Sequence, residues 1–93
     1  MEMKLEFYMT AGIGADMDND VCFASEIGSI IHRFVNDDWG DLCQEDCESN
    51  RQAKKDGGRI LGAYNTTRGR VYVINDDALA NPQVTTVLYA SEY

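Results

Sequence analysis

Along the first stretch of the chain, Leu5, Phe7 and Met9 alternate with Lys4, Glu6 and Tyr8. Period two predicts a strand with one buried face. Gly12 and Gly14 break the pattern and predict a loop running through Asp16-Met17-Asp18-Asn19-Asp20. The period then changes. Ala24, Ile27, Ile30, Ile31 and Phe34 form one stripe of an amphipathic helix, with Asp20 as its N-cap and an end near Asn36. A junction follows at Asp37-Asp38-Trp39-Gly40-Asp41. Asp41 with Gln44 three residues on has the form of a capping box, predicting a second helix from Leu42 to Lys55. That helix is mostly polar and is expected on the surface against the first, ended by Gly57-Gly58 behind Lys54-Lys55.

The remainder reads as strands. Ile60–Tyr64 and Arg70–Ile74 flank a hairpin loop at Asn65-Thr66-Thr67-Arg68-Gly69. Pro82 keeps the stretch after Asn75-Asp76-Asp77 out of a central strand, and Val84–Tyr89 is the last strand. The expected fold is therefore one α+β domain over residues 1–93, of order β-α-α-β-β-β, an antiparallel sheet with two helices packed on one face. The pattern leaves open whether the first strand joins at an edge or in the middle.

Composition agrees with one small folded domain: 93 residues, 44% hydrophobic and 10% aromatic. No apolar run approaches the roughly 20 residues of a membrane span. Residues 1–7 lack a basic stretch leading into an apolar segment, so a cytoplasmic protein without membrane association is expected. Three cysteines make an odd count, arguing against a disulfide framework. The formal net charge of −8 repels phosphate backbones, so direct nucleic-acid binding is not expected.

The charges are segregated. Ten acids lie between Asp16 and Glu48 against Arg33 alone, and six bases lie between Arg51 and Arg70 against Asp56 alone. The helical half is thus expected to be an anionic surface able to occupy a groove built for phosphate.

Other candidate chemistry is weaker. Asp16, Asp18 and Asp20 begin like a calcium loop, but Val21 stands at the sixth position and Ile27 at the twelfth, where glycine and glutamate belong. Cys22, Cys43, Cys47 and His32 match no zinc-module spacing, and the cysteines are expected to pack as small hydrophobes. His32 has no partner legible in sequence, and P-loop, dinucleotide and H-E-x-x-H motifs are missing. Neither a catalytic residue, a metal site nor a cofactor is assigned. Trp39 reads either as a corner residue closing the core or as an exposed anchor in a partner interface.

The stretch Asp38-Trp39-Gly40-Asp41-Leu42-Cys43, with Glu45, Asp46 and Asn50, followed by Arg59-Ile60-Leu61-Gly62-Ala63-Tyr64 and by Thr85-Thr86-Val87-Leu88 with Glu92-Tyr93, resembles a family of small bacterial proteins labelled plasmid-related. The resemblance implies a bacterial or phage origin, a mobile-element setting and a single α+β unit, with no activity attached. Asp37 stands where that pattern usually has glycine, and the last hairpin loop is longer here. Arg59 is expected to pair with Asp46 or Asp38.

These readings converge on a non-catalytic protein-interaction module using exposed sheet edges and the helix pair, with homo-oligomerisation open. The expected contact residues are Asp37, Asp38, Trp39, Asp41, Glu45, Asp46 and Glu48. The alternative is an inhibitor of a host nuclease or defence complex whose acidic helices mimic nucleic acid. A third reading is an enzyme or metal protein built on His32, Cys43, Cys47 and the aspartates.

Overall fold

The computed structural model describes residues 5–93. Its elements are β1 (Glu6–Met9), α1 (Ala11–Asn19), α2 (Val21–Val35), α3 (Gln44–Asp56), β2 (Ile60–Thr66), β3 (Gly69–Asn75) and β4 (Val84–Tyr89), closed by a 3₁₀ turn at Ala90–Glu92. The class is α+β, with a four-stranded sheet in the order β1-β4-β3-β2.

The stretch expected as an acidic loop is instead a helix. Thr10 caps α1, its hydroxyl oxygen accepting from the Ile13 N–H. Burial outweighs the cost of Gly12 and Gly14: Ile13 is fully enclosed and Met17, one turn on, packs against the same core. Asp20 then caps α2 as expected, accepting from the Phe23 N–H at 3.1 Å. The buried stripe of α2 is Phe23, Ile27, Ile30 and Phe34.

The sheet is mixed where an antiparallel one was expected. β2, β3 and β4 form the antiparallel meander, but β1 joins the β4 edge in parallel, Phe7 beside Thr85 and Met9 beside Val87. The parallel sense brings the ends of β1 and β4 together, where the Thr10 hydroxyl donates to Glu92 at 2.9 Å. The meander register places Ile60, Tyr64, Val71, Val73 and Val87 on the helix-facing side, where they meet the α2 stripe in one core.

The polar helix α3 begins at Gln44, two residues later than expected, and Cys43 is an N-cap without a side-chain hydrogen bond. Asp41 makes no capping box, because its N–H is bonded to the Ala63 carbonyl of β2 and the helix starts only after Cys43. The helix packs beside β2 through Ala53 and Asn50. It ends at Gly57, whose φ of +92° suits glycine.

Candidate functional site

The junction between α2 and α3 binds the outer edge of β2. Helix α2 ends in a Schellman arrangement: the Asp37 N–H donates to the Phe34 carbonyl and the Asp38 N–H to the Arg33 carbonyl. Asp37 takes the left-handed position, at φ +63°. The chain then runs along β2. The Ala63 N–H donates to the Trp39 carbonyl at 3.0 Å, and the Asp41 N–H to the Ala63 carbonyl at 2.7 Å. Nearly two turns into α3, the Asn50 side-chain amide donates to the Leu61 carbonyl at 2.9 Å and its oxygen accepts from the Leu61 N–H at 3.2 Å. Leu61 and Ala63 are the β2 residues whose backbone groups point away from β3, so this edge is closed group by group.

Two glycines let that happen. A Cβ on Gly40, at φ +75°, would stand 2.1 Å from the Ala63 carbonyl oxygen. Gly62 leaves room for the Tyr64 ring, which folds over it while its hydroxyl donates to the Asp38 carbonyl at 2.7 Å. The Arg33 guanidinium lies 5.1 Å from that ring centroid and pairs with the Asp38 carboxylate at 2.8 Å. Arg33 and the Gly40 N–H hold the Asp38 carboxyl below its usual range. Burial pushes the Tyr64 hydroxyl up.

The contact residues expected from sequence are distributed by this arrangement. Trp39 is 5% exposed and closes the core at the corner, so it presents no exposed anchor. Asp37 pairs with Lys54 at 2.7 Å, Asp38 with Arg33, and Asp41 with Arg70 at 3.2 Å. Glu45, Asp46 and Glu48 remain exposed on the first turns of α3, with no ion-pair partner among the described residues.

Charge segregation in sequence becomes pairing in the fold. Arg68, at the hairpin tip, reaches Asp16 at 3.4 Å and Asp20 at 3.2 Å while lying over the Phe23 ring. Beside it Glu26 accepts from the Thr67 N–H and hydroxyl. The Phe23 N–H, followed by Arg68, holds the Asp20 carboxyl below its usual range. Behind this cluster the Tyr89 hydroxyl is pushed up to about 12, by burial first and by its hydrogen bond to Asp16 second. Arg59 pairs with Asp76 at 3.3 Å and meets the Tyr93 hydroxyl, and so takes neither Asp46 nor Asp38.

Asp16 and Asp18 lie on a helix, which removes the calcium-loop geometry. Among the described residues no group of three or more His, Cys, Asp or Glu side chains could hold a metal ion. Cys22 and Cys43 are exposed, contrary to their expected packing, because they occupy the outer first turn of α2 and the cap of α3; Cys47 alone packs against the core. His32 is exposed near the end of α2.

The opposite edge of the sheet is different. In the parallel pairing with β4, the N–H groups of Glu6 and Thr10 donate to Gln83 and Val87. By the alternation of a parallel ladder, Tyr8 also bonds β4, and the backbone groups of Phe7 and the Met9 N–H point outward. No described residue pairs with them.

A groove of about 290 Å³ opens beside this edge on the helix-facing side. Its floor is a row crossing all four strands, Phe7, Thr85, Asn75 and Ile60. Phe34, Val35 and Trp39 form one wall, and the Asp37–Lys54 pair sits among its lining residues. Alternation in sequence placed Leu5 and Phe7 in a strand, and the structure puts Phe7 in β1 with Leu5 just before it. The alternation carried no sign that the strand would lie at an edge, and so the groove went unforeseen.

The chain was compared with protein-family models, curated proteins and solved structures, and none of the three comparisons finds a match.

Proposed function

We propose that the protein is a non-catalytic interaction module that engages a partner protein through the outer edge of β1. The observation that carries this reading is the asymmetry of the sheet. One edge is closed by the backbone of Trp39–Asp41 and by the Asn50 amide, whereas no described residue covers the other, which adjoins an apolar groove. Natural sheets blunt edges they do not use, because an uncovered row of backbone groups is a template for another strand.

Capture from a bacterial lysate tests it, the source being the one the sequence resemblance implies. Leu5→Pro removes the Leu5 N–H, which by the same alternation faces outward, and alters a half-exposed side chain lining the groove, while the Glu6 N–H that bonds β4 is kept. The partner is expected on the wild-type protein and lost on this variant. Undiminished capture by the variant, or capture of nothing, contradicts the reading.

A second reading, mimicry of nucleic-acid phosphate, rests on the exposed acids Glu45, Asp46 and Glu48 of α3. It requires capture that falls steeply with salt and is lost in the Glu45→Gln, Asp46→Asn, Glu48→Gln triple variant. The mimic surface is narrower than the sequence suggested, since Asp37, Asp38 and Asp41 already have cations beside them.

A further inference from the structure

We propose that the outer edge of β1 takes up an extended basic peptide segment as a fifth strand, one large apolar side chain of which is anchored in the groove beneath the C-terminal end of α2. The proposal rests on the interaction-module reading and names its ligand class.

Hydrogen-bond register and side-chain direction lead to the same place. A strand added to β1 would exchange bonds with the Phe7 N–H and carbonyl and with the Met9 N–H. Its alternate side chains would fall on the helix-facing side, next to Phe7, where the groove begins. At about 290 Å³ the groove lies at the lower limit of small-molecule sites, roughly 300 to 1,000 Å³, a size suited to one large side chain. Phe34, Val35 and Trp39 offer that side chain an apolar wall. Backbone bonds would then supply affinity and the groove selectivity, as in other strand-addition complexes.

Charge selects the occupant. The chain carries a net −8, and Glu6 is exposed on β1 itself. A second copy would bring two such charges together at this edge, whereas a segment rich in Lys and Arg would be attracted to it. Near the groove Lys54 is paired with Asp37, and near the turn before β4 Arg59 is paired with Asp76, so these two cations are neutralised.

The test selects a phage-displayed library of dodecapeptides on the intact protein and measures synthetic versions of the enriched sequences. Trp39 is the one tryptophan and lines the groove, so its emission reports entry of the anchor. The expected peptides carry Lys or Arg around one large apolar residue, shift that emission and slow exchange of the Phe7 and Met9 amides. Binding should weaken at least tenfold when the anchor is replaced by alanine, in Leu5→Pro, and in Val35→Lys. The last variant places a cation at an exposed groove position near a helix C-terminus, where it suits the helix dipole, so the fold is retained. Unchanged thermal midpoints confirm that for both variants.

Enriched peptides that bind without an anchor preference, or that perturb Tyr8, Tyr72 and Leu88 on the other sheet face, would overturn the inference. Protection of the Phe7 and Met9 amides that rises with protein concentration alone would assign the edge to a second copy and overturn it too. A selection that enriches nothing also overturns it. In all of these cases lysate capture separately decides whether the module reading stands.

Discussion

At Asp37 the backbone takes a left-handed conformation that side chains rarely adopt, one residue past the C-cap of α2. Glycine is the usual occupant of such a position. Asp is among the better-tolerated replacements, and here its carboxylate also meets Lys54. Asp37→Gly should therefore be close to neutral, within about 0.5 kcal/mol, relief of backbone strain offsetting an exposed ion pair. Asp37→Ala loses the pair and keeps the strain, and should cost about 1 kcal/mol more than the glycine variant in urea titration. Asn50 gives a sharper contrast. It is buried, and both ends of its amide bond Leu61. Asn50→Asp keeps the acceptor but sets a carboxylate against the Leu61 carbonyl. It should cost at least as much as Asn50→Ala, about 1–3 kcal/mol, and the same titration checks it.

Between elements, the Arg33–Asp38 pair joins the end of α2 to the segment lying on β2. The Asp38 carboxyl titrates below its ordinary value when folded, because Arg33 and the Gly40 N–H bond its charged form. Its contribution to stability is complete above the unfolded value of about 3.9 and is lost as pH falls through the lower folded one. Asp38→Asn should thus be less stable than wild type near pH 7, the two converging as the solution is acidified below about pH 4. A gap that stays constant with pH would show that the charge is not what matters there. At this scale the sequence was readable wherever periodicity or a strong breaker spoke. The Ile27, Ile30 and Phe34 stripe of α2, the Asp20 cap, the stop at Gly57 and the exclusion of Pro82 from a strand are all present, whereas the fully buried Phe23 was passed over in favour of the half-buried Ala24. Helix α1 was hidden because its two glycines and two acids, with Asp20 just beyond, argue for a loop. The evidence for it, burial of Ile13 under a Thr10 cap, depends on β4 and Glu92 at the far end of the chain. For the same reason Asp41 looked like a cap: local spacing cannot reveal that its backbone is occupied by Ala63.

For the molecule as a whole, the acidic and basic halves of the sequence fold onto each other, Asp16 and Asp20 meeting Arg68, Asp37 meeting Lys54 and Asp41 meeting Arg70. Each exposed pair contributes little, about 0–1 kcal/mol, so their consequence lies more in the surface potential than in stability. Net charge is readable from composition, whereas its distribution over a surface requires the fold. The two edges of the sheet are unequal, one closed by Trp39–Asp41 and Asn50 and the other unpaired among the described residues. That inequality is tested most directly by residue-resolved amide hydrogen exchange on the free protein. The Leu61 and Ala63 amides should be protected although they face away from β3, because Asn50 and Trp39 accept their protons. The Phe7 and Met9 amides should exchange far faster. Rapid exchange at Leu61 and Ala63, or protection at Phe7 and Met9 in dilute free protein, would contradict it.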